Sequence, residues 1–131
     1  MKNREIKFRF WNDGVMYDVF GLVFDGYGLR DVHVQFGGNR QFFYDIKSEN
    51  YAPLMQYIGL QDKQGKDIYE GDILLVRFGK HRVEVRWNIT GFGFFNLGTH
   101  QWQLLYVADL KQIEVIGNIY EHPHLLPDAA S

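Results

Sequence analysis

Four cations and a histidine fall within ten consecutive positions, Arg77, Lys80, His81, Arg82 and Arg86, with Phe78 and Trp87 interleaved. Cations beside aromatic rings can hold a phosphate-bearing polymer, neutralising its charge and stacking on its bases. Gly79 suits the first central position of a tight type II′ turn. That turn pairs Val76 with Val83 and Leu74 with Val85, and it sets Arg77 directly across from Arg82. Like charges facing each other on a sheet repel, so an anion between them would relieve the pair. Glu84 offers an internal alternative, because it shares a face with Arg82 and Arg86 and falls diagonal to Arg77. A solvated face balanced by Glu84 is the reading that a net charge of −2 favours. The candidate contacts for an anion or nucleic acid are therefore Arg77, Lys80, Arg82, Arg86 and Trp87.

Other constellations carry less chemistry. Glu70 and Asp72 flank Gly71 and could divide acid and base roles if their environments differed. Turn chemistry explains them more simply: Gly65, Gly71 and Gly79 release the chain at corners, and Asp62 and Asp72 can accept hydrogen bonds from neighbouring backbone. His122-Pro123-His124 places two rings on one side of an extended chain, with Asp128 as a third ligand, but in what reads as a loose tail. His33, His81 and His100 are scattered singly, so no triad can be nominated. Gly26-Tyr27-Gly28 and Gly91-Phe92-Gly93 lack a third glycine and open no helix, and carry no dinucleotide signal. Asn88-Ile89-Thr90 is a formal glycosylation sequon in a chain with no export signal. No catalytic residue, cofactor site or metal site is assigned, and a non-enzyme is expected.

These residues sit in a chain of 131 positions without cysteine. The length suits one domain with a real core, and the absent thiols exclude zinc fingers, iron–sulfur clusters, thiol catalysis and disulfide scaffolds. No apolar stretch has the length of a signal core or a membrane span, so neither export nor membrane insertion is expected.

Alternation supplies the elements. With 22 aromatic residues (11 Phe, 8 Tyr, 3 Trp), mostly in runs of period two, sheet is favoured over helix. Ile6, Phe8 and Phe10 alternate with Lys7, Arg9 and Trp11, and Asn12-Asp13-Gly14 then turns the chain into Val15 to Phe24. Asp31 to Phe36 and Gln41 to Asp45 flank a Gly37-Gly38-Asn39 turn. Leu54 to Leu60 leads through a turn with Gly65 in the left-handed region into one long strand, Ile68 to Phe78. Gly93 to Leu97, Gln101 to Val107 and Ile113 to Tyr120 complete the strands, with a short helical turn at Ala108-Asp109-Leu110. The expectation is an all-β, mainly antiparallel fold with little helix, built as a small barrel or two packed sheets. An SH3-like barrel is conceivable in the C-terminal half. One domain spans 1–131, with a seam near 46–53 and a loosely ordered tail over 121–131.

Three blocks resemble one family. Leu54-Met55-Gln56-Tyr57-Ile58-Gly59-Leu60, followed by Asp62-Lys63-Gln64-Gly65-Lys66-Asp67-Ile68-Tyr69-Glu70-Gly71-Asp72-Ile73, is similar to the central block of the YopX family of phage and prophage proteins. Arg4 to Trp11 with Met16-Tyr17-Asp18-Val19 resembles that family's opening, and Ile113 to Glu121 its closing strand. Ile58 departs from the pattern, standing where the family commonly carries a small polar residue. The resemblance implies a bacteriophage or prophage origin, a β-rich fold, the cytoplasm of a bacterial host, and no established catalytic residues. The expected role is a non-catalytic protein-interaction module with a host or phage protein as partner. The alternative is a nucleic-acid-associated module using the strand pair around Gly79. Trp11, Phe92, Phe94, Phe95 and Trp102 are numerous enough to leave some aromatic surface near solvent, and aromatic edge strands could equally join two copies of the chain.

Overall fold

A two-residue corner starts the fold. Asp13 and Gly14 both take positive φ, 48° and 78°, the mirror-image turn whose twist matches a hairpin. It closes β1 (Phe8–Asn12) onto β2 (Val15–Asp25) with Asn12 opposite Val15. β3 (Gly28–Phe36) and β4 (Asn39–Phe43) follow as a meander, turning at Gly37 and Gly38. The computed structural model describes residues 5–44, 46, 54–88, 90–105 and 111–127. Within them the chain divides into two compact units, at Tyr57 and Ile58. Most of the expected seam, and the expected turn at Ala108-Asp109-Leu110, lie outside the described residues.

The first unit buries Phe10, Tyr17, Leu29, Val32 and Val34 in one cluster, with Val15, Val19, Leu22 and Phe43 packed against it. Phe43 lies 5.3 Å from the Phe10 ring and 5.5 Å from that of Tyr17, ordinary tilted-ring distances. Ile6 does not join this core. It precedes β1 and is 69% exposed, so the alternation becomes structural only from Phe8.

β5 (Leu54–Gln61) begins in the first unit, where its start pairs with β1, and ends in the second beside β6 (Asp67–Tyr69). The expected single strand over 68–78 is broken. Gly71 turns the chain at φ 88°, and the buried Asp72 carboxylate accepts the Tyr69 N–H at 2.8 Å. β7 (Asp72–Val76) starts afresh after this corner, and β8 (His81–Asn88), β9 (Gly91–Asn96), β10 (Gln101–Gln103) and β11 (Glu114–Asn118) complete the unit. Its core joins Ile68, Leu74, Val76, Val83, Val85 and Ile113.

Strand order is β4-β3-β2-β1-β5-β6 in one antiparallel sheet and β10-β9-β8-β7-β11 in the other. Of the two architectures expected, sheets are found and no closed barrel; the C-terminal sheet stays open, with β10 and β11 at its edges. The only helical piece among the described residues is one 3₁₀ turn, Pro123–Leu125, and no helix there is long and apolar enough to cross a membrane.

The expected β7–β8 register is corrected by two residues. The loop is four residues long, Arg77 to Lys80, and the pairs are Leu74 with Val83, Leu75 with Arg82 and Val76 with His81. Arg77 and Phe78 carry positive φ of 52° and 59° ahead of Gly79 at 78°. A slip of one would have turned the apolar side chains to water, whereas a slip of two keeps every side chain on its face. Alternation is blind to it, and the facing Arg77–Arg82 pair does not exist.

Asp62 ties the hairpin loop to a distant strand. One carboxylate oxygen accepts the Gln64 and Lys66 N–H groups, each at 2.9 Å, and the other accepts the Val115 N–H at 3.0 Å. Burial pushes this carboxyl upward, but the three backbone donors and the nearby Lys66 charge outweigh it and hold Asp62 below the ordinary carboxylate range. A depressed folded-state value means stability present above the unfolded value, near 3.8, and lost as pH falls through the folded one. Asp62→Asn, which aims an amide NH₂ at a backbone N–H, should cost about 2 kcal/mol at neutral pH. In urea melts the gap between variant and native chain should narrow below about pH 4, as the native carboxyl protonates.

The chain beyond β11 folds back on a glycine. A Cβ on Gly117 would lie 2.7 Å from Nδ1 of His122 and 2.9 Å from a Leu125 methyl. The Asn118 N–H donates to that same Nδ1 at 3.1 Å, and the Asn118 side-chain oxygen accepts the N–H groups of Tyr120 and Glu121. Gly117→Ala should therefore displace residues 122–125 and lower stability by roughly 1–3 kcal/mol, read as a fall in melting temperature.

Candidate functional site

Asn96 builds one wall of a groove in the C-terminal unit. Its side-chain oxygen accepts the N–H groups of Gly98 and Thr99 at 2.8 and 3.0 Å, shaping the turn after β9. Its amide nitrogen must then donate, and it does so to Oε1 of Gln103 at 2.7 Å. Gln103 is left with its own NH₂ facing Nδ1 of His81 at 3.0 Å, so the network assigns the His81 proton to Nε2. β8, β9 and β10 are thereby pinned together at the end where the Arg77–Lys80 turn emerges.

The opposite wall is the returning C-terminal segment. Arg82, exposed on β8, donates from Nη1 to the Leu125 carbonyl at 3.1 Å. Between the walls lies a cavity of about 530 Å³, whose lining includes Leu75, Lys80, Arg82, Leu97, Thr99 and Leu125. On the far side of the turn a second cavity, about 480 Å³, is lined by Lys63, Phe78, Lys111 and Glu114 among others. There Lys63 and Glu114 pair at 3.4 Å.

Lys80 and Arg82 are the two sequence candidates that the structure brings together. Arg77 occupies the turn and donates to the Leu104 carbonyl at 3.4 Å. Arg86 is paired with Glu84 at 2.9 Å and lies 3.8 Å above the Phe95 ring, so on this face Glu84 answers Arg86. Trp87 points to the other side of β8 and meets Phe92 edge-on at 5.0 Å. Along β8 itself Trp87 and the cations therefore fall on opposite faces, and the rings on the cationic face, Phe95 and Trp102, come from β9 and β10. Trp102 covers Gly93, where a Cβ would lie 2.8 Å from its ring, and stands edge-on to Phe95 at 5.5 Å.

The remaining candidates have structural occupations. Asp72 serves the Tyr69 backbone, and Nδ1 of His122 is engaged by Asn118. No group of three metal-ligating side chains occurs among the described residues, and Asp128 lies outside them. His100 stacks on Phe95 at 6.4 Å.

The N-terminal unit holds a surface that alternation alone does not expose. The β2–β3 register shifts between Val19 and Gly21, leaving Phe20 as the extra residue of a bulge. Phe20 meets His33 at 5.8 Å and Phe42 at 6.2 Å, His33 meets Phe42 at 4.7 Å, and Phe42 stacks on Tyr44 at 6.1 Å. Arg40 lies 4.6 Å over the Phe20 ring. A glycine inside a strand run, Gly21, was the available signal for the bulge.

The likenesses to known proteins agree with this architecture. A profile of the YopX family, described as YopX protein, matches residues 7–127. No curated protein sequence matches significantly. Among solved structures, the chain is similar to protein EF1440 from Enterococcus faecalis, with 26% identity and a TM-score of 0.59, covering 95% of this chain and 100% of that one. It also shares the fold of protein yopX from Bacillus subtilis, with 21% identity and a TM-score of 0.60, covering 92% of this chain and 98% of that one. Since the family profile runs from just before β1 to just past the 3₁₀ turn, the chain belongs to the YopX family.

Proposed function

We propose that the chain is a non-catalytic protein-interaction module of phage or prophage origin, acting in the cytoplasm of a bacterial host. The observation that carries this reading is the aromatic face on β2, β3 and β4. Phe20, Phe42 and Tyr44 are 43%, 44% and 65% exposed yet gathered into one contact network. Aromatic side chains bring large contact areas at small entropic cost, and clusters of them dominate protein interfaces. Arg40 adds a polar rim, and β4 is the edge strand of its sheet, so a partner can meet both rings and backbone.

The experiment uses the full chain as bait in a Bacillus subtilis lysate, beside two variants: Phe20→Ser, Phe42→Ser, Tyr44→Ser, and Arg82→Glu, Arg86→Glu. The three rings lie outside the buried cluster, so the first variant should keep the native melting temperature to within a few degrees. Prey should be lost with the rings and retained with the charge reversals. Prey lost only with the charges, and sensitive to nuclease, would replace this reading with a nucleic-acid-associated one. Sizing of bait and variants reports whether the partner is a second copy.

A further inference from the structure

We propose that the groove beside the β7–β8 turn binds an acidic peptide segment, with a carboxylate seated on Lys80 and Arg82 and the neighbouring apolar side chains against Leu75, Leu97 and Leu125. This site stands on the C-terminal unit alone and is independent of the aromatic face.

Charge is the first argument. Two other cations of this unit are answered within the chain, Arg86 by Glu84 and Lys63 by Glu114. Lys80 and Arg82 line one cavity, and among the described residues neither has a carboxylate within 4.0 Å. Within the described residues, a chain with an overall excess of acidic residues leaves these two cations without a carboxylate, side by side.

Orientation is the second. The Leu125 carbonyl takes one N–H of Arg82 at 3.1 Å and leaves the other donors of the guanidinium for a ligand. Leu125 is itself held where Gly117 gives it room. A guanidinium fixed in this way loses little freedom on binding, and its planar donor fork matches a carboxylate.

The lining decides the ligand class. Beside the cations stand Leu75, Leu97, Leu125, Leu126 and Pro127, and no Phe, Tyr or Trp. Bases of a single strand need rings to stack on, and the rings on this face of the sheet, Phe95 and Trp102, lie outside the groove lining and pack on each other. An acidic residue flanked by aliphatic ones satisfies both the charge and the walls.

Panning a random twelve-residue peptide library on the full chain tests this directly. Selected peptides should carry Asp or Glu beside Leu, Ile or Val. A fluorescein-labelled selected peptide should bind roughly tenfold more weakly when its acid is replaced by the amide, the scale of one lost charge-assisted contact. Lys80→Gln with Arg82→Gln should weaken it similarly, while Phe42→Ser should not. Glutamine at 82 can still donate to the Leu125 carbonyl, and an unchanged melting temperature verifies that the fold is kept. No enrichment, enrichment without acids, binding indifferent to the glutamine pair, or tighter binding of a labelled dT12 oligonucleotide than of the peptide would each overturn the proposal. Loss of binding on Phe42→Ser would assign the peptides to the aromatic face instead.

Discussion

One carboxylate organises the C-terminal unit. Asp62 closes its own hairpin loop through Gln64 and Lys66 and reaches 53 residues along the chain to hold Val115. The neighbouring backbone repeats the link, with the Lys63 N–H donating to the Ile113 carbonyl at 2.9 Å. These contacts place β11 against β7, and β7 in turn carries β8. The groove is a consequence, since its floor is Leu75 on β7 and its lip is the segment that leaves β11. A buried carboxylate with three backbone donors is stable only while charged, which couples this arrangement to pH.

β7 shows how little of a sheet alternation alone specifies. Leu74 and Val76 face the core whether they meet Val83 and His81 or partners two residues on. Turn geometry chooses between the registers, and here the choice rests on Arg77 and Phe78 accepting left-handed backbone, a conformation that costs non-glycine residues energy. The chosen register removes the confrontation of Arg77 with Arg82 and sets Arg82 opposite an aliphatic neighbour, Leu75. It also leaves Glu84 free to pair with Arg86 two positions along the same strand. The electrostatics of the face are thus set by a four-residue loop.

The N-terminal unit works differently. Its core is aromatic and aliphatic, and the bulge at Phe20 lets one strand present large apolar groups on both sides. The first unit can therefore be a folded body and an adhesive surface at once. In the second, the buried cluster is aliphatic, and the groove sets two cations beside aliphatic side chains.

Much of this was legible from residue types. Alternating aromatics and glycine corners determined a strand-built chain, the Asp13-Gly14 hairpin and the turn at Gly65, because local sterics act on a few neighbouring residues at a time. The central block and the closing strand also carried enough specific residues for the family to be recognised. What they left open depended on distant partners: the break of the 68–78 run at Gly71, the two-residue register slip, the gathering of Phe20 with Phe42, and the meeting of Lys80 and Arg82 in one groove away from the carboxylates of the described residues. Burial, pairing and charge balance are properties of neighbours in space. Only folding brings those neighbours together, through an aspartate whose second partner lies 53 residues away.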